Sequence, residues 1–193
     1  MSDALLALHF QNDICHPDGR IPFSLDRNTK DAANFLDASK RALAAARNAG
    51  WTIVHVHIAF AADYSDLMRN CRLFLKTETL GALKSGSWGA AALAGFEPGD
   101  DEIVVMTSGN SSFRRTDLES ELHSRGITRL NIMGLATQFS VEHTVRDAAD
   151  IGFHVRLLAD CCASGDMEAH RASLRTLVML ADVIDSDAAL PAR

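Results

Sequence analysis

The sequence predicts a single-domain, three-layer α/β/α fold around a mostly parallel six-stranded sheet. Three observations predict it. Short continuous apolar runs, beginning with Ala4-Leu5-Leu6-Ala7-Leu8, suit strands buried on both faces. Helically periodic stretches separate these runs, and that alternation argues for parallel strands with helices on both sides. Finally, 193 residues with 47% hydrophobic and 23% charged side chains hold one core of ordinary size, with no repeat and no linker.

Taken in order, the first strand ends at the polar His9-Phe10-Gln11-Asn12-Asp13 segment. Asp31 to Ala49 is Ala-rich with a helical period, and Gly50 suits the position just past a helix end. Trp51 to Ile58 is β-branched and strand-like, and Ile103 to Met106 reads as a third strand. A short helix over Leu118 to Ser124 leads to a strand at Leu130 to Met133, and a helix follows from Val141 to Asp150. His154 to Ala159 is the fifth strand, Ala169 to Ala181 a helix, and Val183-Ile184 the sixth strand. Residues 59–102 break the rhythm with Gly86-Ser87-Trp88-Gly89 and Pro98-Gly99, which reads as a long binding loop or an irregular one.

The composition removes several functional classes. The net charge is −6 with no basic tract, which speaks against a nucleic-acid partner. No apolar run approaches the roughly 20 residues that span a bilayer, and no charged leader precedes a hydrophobic core, so the expectation is a soluble cytoplasmic protein with no membrane partner. Cys15 and Cys71 stand alone and Cys161-Cys162 are vicinal, which predicts reduced buried thiols. A redox role for the vicinal pair is the weaker reading, because no Cys-x-x-Cys is present.

Ligands of open α/β sheets bind beyond the carboxyl ends of the strands. The fourth strand end is the most informative, since Gly134-Leu135-Ala136-Thr137-Gln138-Phe139-Ser140 runs directly into a helix. Such a turn aims backbone N–H groups and a positive dipole end at one point, which favours a nucleophile there. Ser140 occupies that point; as a serine it is equally suited to cap the helix.

These residues carry a resemblance. Gln11-Asn12-Asp13, Ser111-Ser112-Phe113, Gly134-Leu135-Ala136-Thr137 and Arg146-Asp147-Ala148 together resemble the isochorismatase-like, or cysteine hydrolase, superfamily, over nearly the whole chain. The resemblance implies one hydrolase domain over residues 1–193, a Rossmann-like six-stranded fold and a homo-oligomer, dimer or tetramer. It implies a small-molecule substrate cleaved at an amide or other C–N bond, or at a vinyl ether, with no cofactor. The family's usual aspartate, lysine and cysteine fall here on His9, Thr107 and Ser140, so all three catalytic positions are substituted. The oxyanion hole, built around a non-proline cis peptide, falls at Leu135-Ala136.

A serine hydroxyl needs a base within hydrogen-bond reach, and His9 is the residue type to serve. The expected dyad is therefore Ser140–His9, oriented by Gln11 or Asp13; the alternative is an inactive member that binds a ligand or acts as a scaffold. Replacing lysine by Thr107 removes a cation, which Arg72, Lys76 or Arg114 would have to restore for an anionic substrate. Gln11, Trp88, Phe113 and Phe139 are the expected substrate contacts, although Phe113 equally suits the core. His55 and His57 share a strand face and Cys15-His16 lies near the first strand's end, but neither pair has a metal-site spacing, and no metal is expected.

Overall fold

The computed structural model describes residues 2–190. Six parallel strands form one sheet in the order β3-β2-β1-β4-β5-β6. The strands are β1 (Asp3–Leu8), β2 (Thr52–Ile58), β3 (Ile103–Thr107), β4 (Arg129–Leu135), β5 (His154–Ala163) and β6 (Asp182–Ile184). Helices α1 (Asn12–Cys15), α2 (Lys30–Asn48), α3 (Arg72–Thr79), α4 (Leu118–Ser124), α5 (Glu142–Ile151), α6 (Met167–Leu177) and α7 (Ser186–Ala189) connect and cover them.

The central strands read as apolar runs because both of their faces are covered. Leu5, Ala7, Ile53, Met133 and Leu158 pack with Phe35, Ala42 and Leu43 of α2 on one side. Leu6, Leu8, Val54, Ile132 and Leu157 pack with Leu122 of α4 and Val145 and Ala148 of α5 on the other. The α2 helix starts where the Thr29 Oγ1 accepts the Ala32 N–H at 3.2 Å, and it stops before Gly50 at φ 69°.

The order reverses between β1 and β4, which makes the gap beyond their carboxyl ends the topological switch point. Gly134 lets the two ends approach: an added Cβ would lie 2.2 Å from the Leu8 carbonyl oxygen, and its φ of 135° is open to glycine alone.

The structure corrects several boundaries. The strand expected to end at Ala159 runs to Ala163, so Cys161 and Cys162 are buried strand residues. Burial pushes the Cys161 thiol up to about 12 and the Cys162 thiol further, which leaves neither thiol reactive. The helix read as Ala169–Ala181 spans Met167–Leu177, capped by Asp166 on the Glu168 and Ala169 N–H groups. Within the irregular 59–102 segment lies α3, whose single helical stripe of Phe74 and Thr77 faces inward. Among the described residues no helix is long and apolar enough to cross a membrane.

Candidate active site

A small cavity of about 40 Å³ opens at the switch point. His9 enters it from the end of β1, Leu135, Ala136, Phe139 and Ser140 from the end of β4, and Leu73, Phe74 and Thr77 from α3. Ile21, Phe23 and Ser24 close it from the loop before α2. Four of the residues singled out from the β4 turn therefore meet His9 in one place.

His9 sits where β1 breaks. Its N–H still continues the ladder to the Val56 carbonyl at 2.8 Å, but its φ is 62°. The side chain is 2% exposed, and neither ring nitrogen has a hydrogen-bond partner. Burial, with a smaller contribution from neighbouring His57, holds its pKa down at about 3. The ring is neutral at physiological pH.

Ser140 lies inside a π turn over Thr137–Val141 that precedes α5. It is not a cap: α5 begins on Val141 with no side-chain cap. The turn is held at its first residue, where Thr137 Oγ1 donates to the Ala163 carbonyl at 3.0 Å. A hydroxyl has one hydrogen, so the 2.8 Å contact with His170 Nδ1 makes the imidazole the donor. The Leu135–Ala136 bond is cis.

The expected dyad is corrected in one respect. His9 and Ser140 line the same cavity, but no hydrogen bond joins them, because both His9 nitrogens are unpartnered. Asp13 and Gln11 do not orient the ring either, since both are used elsewhere.

Gln11 is entirely buried and does not itself line the cavity, but braces the wall residue Ile58 from behind. Its Oε1 accepts the Ile58 N–H at 2.8 Å, and its Nε2 donates to the Ile58 and Ala90 carbonyls at 2.9 and 2.7 Å. Asn12 Nδ2 donates to the Trp88 carbonyl at 2.9 Å. Asp13 accepts the Arg20 and Leu83 N–H groups at 3.1 and 2.7 Å. An added Cβ on Gly89 would fall 2.0 Å from the Asp13 carboxylate, so only glycine lets that loop approach. The Gln-Asn-Asp motif is thus a clamp that ties the 59–102 segment to the end of β1.

Other expectations are also redirected. Thr107 is buried outside the cavity, where its Oγ1 accepts the Gly109 N–H at 3.0 Å in a local turn. Phe113 lies on the opposite side of the sheet, stacked on Phe153 with ring centroids 6.1 Å apart. Trp88 is 53% exposed and meets His16 edge-on at 5.0 Å. Its glycine-rich flanks place it at the surface rather than over the cavity. Arg114 is bound to Asp147 through two hydrogen bonds, at 2.8 and 2.5 Å, and neither it, Arg72 nor Lys76 lines the cavity.

Asn110 was not singled out as a site residue, yet it lines the cavity and its Oδ1 is buried without a partner. Its only sequence signal is its place three residues past the end of β3. His55 Nε2 pairs with Glu102 Oε2 at 2.8 Å. Burial raises the Glu102 pKa, but hydrogen bonds from Arg47, Gly99 and His55 outweigh it and hold the carboxyl at about 2. His57 lies beside His55 with ring centroids 6.3 Å apart, and burial followed by His55 lowers its pKa to about 4. Among the described residues no group of three or more metal-ligating side chains is assembled.

A doubly wound parallel sheet with a buried imidazole and a serine turn at its switch point defines an α/β protein with one candidate catalytic pocket. The isochorismatase-domain family model matches residues 3–188, and the chain belongs to the isochorismatase family of hydrolases. It is 27% identical over 157 residues to the uncharacterized isochorismatase family protein YecD of Escherichia coli O157:H7, covering 81% of this chain and 80% of that one. It is 29% identical over 190 residues to ureidoacrylate amidohydrolase RutB of Methylobacterium radiotolerans, covering 90% and 72% respectively. The solved nicotinamidase PncA of Bacillus subtilis superposes with a TM-score of 0.81 at 25% identity, covering 96% of this chain and all of that one.

Proposed function

We propose that this chain hydrolyses a small molecule at an amide or ureide C–N bond, with Ser140 as nucleophile and His9 as the base. The observation that carries this reading is the meeting of a neutral, unpartnered imidazole and a serine turn in one switch-point cavity. Relatives named for amide hydrolysis, ureidoacrylate amidohydrolase and nicotinamidase, support the reaction class.

The Ser140 Oγ attacks the carbonyl carbon while its proton passes to His9. The resulting oxyanion lies toward the Leu135-Ala136 turn and its backbone N–H groups. A buried imidazole of low pKa is a weak base on its own, but the developing oxyanion supplies a compensating negative charge as the imidazolium forms. The C–N bond then breaks and His9 returns the proton to the leaving nitrogen. Water, deprotonated by His9, attacks the serine ester; the carboxylic acid leaves and Ser140 regains its hydrogen.

A second reading, ligand binding without turnover, draws on the missing His9–Ser140 hydrogen bond. Turnover of a panel of small amides and ureides by the wild type and by Ser140→Ala separates the two. The expected result is measurable wild-type turnover that drops at least about 10³-fold in the variant. Turnover that survives the substitution removes Ser140 from the chemistry. Ligand-induced thermal stabilisation with no turnover in either protein favours binding alone.

A further inference from the structure

Native proteins leave few buried polar atoms without a partner, and each calls for an explanation. Six such side-chain atoms are found among the described residues, and three of them share the switch-point cavity: both ring nitrogens of His9 and the Oδ1 of Asn110. None of the three other cavities found among the described residues is lined by any of them, so the missing partners are those of whatever occupies this one.

The remaining lining is uncharged. No Asp, Glu, Lys or Arg faces the cavity among the described residues, and its walls are mainly Ile, Leu and Phe. None of the nearby cations lines the cavity: Arg20 donates to the Gly81 carbonyl at 2.7 Å, Arg114 pairs with Asp147, and the Lys76 Nζ sits 4.3 Å from the ring centroid of Phe23, a wall residue. An anion entering the cavity would be desolvated with no counter-charge in the lining to receive it.

The unpartnered atoms state what is wanted instead. Asn110 Oδ1 only accepts, and a neutral imidazole offers one acceptor and one donor. The imidazole acceptor is the one that takes the Ser140 proton, so a ligand that satisfies the other two has an N–H for Asn110 Oδ1 and a carbonyl oxygen for the imidazole N–H. An uncharged carboxamide has that set, whereas a carboxylate has acceptors alone and would set an oxygen against Asn110 Oδ1. The volume of about 40 Å³ compares with roughly 10–15 Å³ for a single water and about 150 Å³ for a site that takes benzene. That is room for a few heavy atoms.

We propose that this cavity selects short-chain uncharged carboxamides over carboxylates, and that Asn110 Oδ1 recognises the amide N–H. The proposal rests on the reading of this cavity as the substrate site and names the substrate class within it. Asn110 acts as a specificity determinant, apart from the chemistry assigned to Ser140 and His9.

The test is equilibrium binding, by ligand-observed NMR and calorimetry, of propionamide, propionate and butanone to Ser140→Ala and to Ser140→Ala/Asn110→Leu. Butanone keeps the shape and the carbonyl of propionamide but has no N–H. The expected result is propionamide binding at least 10-fold tighter than either analogue. Asn110→Leu should bring the propionamide-to-butanone ratio close to 1 while the melting temperature holds or rises, because an unpartnered buried oxygen is replaced by a methyl group. A purely structural Asn110 would instead lower the melting temperature and leave the ratio unchanged, and that result overturns its assignment. Propionate binding as tightly as propionamide, or no binding of propionamide at all, overturns the selectivity. Amide binding without wild-type turnover would leave this selectivity standing while the hydrolase reading failed. Efficient wild-type turnover of anionic amides would do the reverse.

Discussion

The clamp and the cavity lie a few residues apart on the same chain and treat their polar groups in opposite ways. In Gln11, Asn12 and Asp13, side-chain donors and acceptors are engaged with backbone groups of distant segments. Two residues earlier, His9 keeps both ring nitrogens free while buried. The difference teaches that a motif of polar residues after a strand is not by itself a binding site. Fully bonded, it is architecture; chemistry is available where a buried polar group has been left without a partner, at a cost that the clamp and the core must offset.

The comparison can be broken most severely at the clamp. Gln11→Ala should cost about 3 kcal/mol, because it leaves the buried Ile58 N–H and two carbonyls without their side-chain partner. Urea unfolding measures this, and a change below about 1 kcal/mol would show that water replaces the clamp without penalty.

A smaller effect sharpens the cavity side. The unfolded His9 takes up a proton near pH 6.5 and the folded one only near 3, so the unfolded chain holds more protons between those values. The stabilising contribution is therefore complete above pH 6.5 and is lost as the pH falls toward 3. For one such group, the loss between pH 7 and pH 5 is about 2 kcal/mol. His9→Asn removes the titration and tolerates the positive φ, so its stability should fall by about that much less over the same interval. Parallel stability curves for wild type and variant would mean that the His9 ring is solvated in solution.

The smallest effect is expected at the surface. Trp88→Ala should change stability by less than about 0.5 kcal/mol and leave substrate affinity unchanged, since the indole is half exposed and outside the cavity. A large rise in KM for an amide substrate would place the indole over the bound ligand after all.

Much of the fold is legible in the sequence. All six strands are foreseen, because a strand covered on both faces must be apolar along its length, and that run survives without tertiary information. The place of the site is legible for a related reason: Ser140 and His9 directly follow two of those apolar runs, where ligands of such sheets bind. The α3 helix is not legible, because eight residues with two buried positions carry too short a period to stand out from a loop.

The site's interior is a different matter. The sequence by itself determined which residues reach the strand ends, and its family resemblance paired His9 with Ser140; the strand order then put both at the switch point. Only the tertiary structure decided which side chains turn inward. Thr107 folds onto its own turn, Phe113 passes to the far face of the sheet, Gln11 is captured by Ile58 and Ala90, and Asn110, which no motif marks, faces the cavity. The physical reason is that alternation along a strand sets a side chain's direction only while the strand lasts. Beyond its end, direction is set by local turns, by a positive φ such as that of His9, and by hydrogen-bond partners tens of residues away.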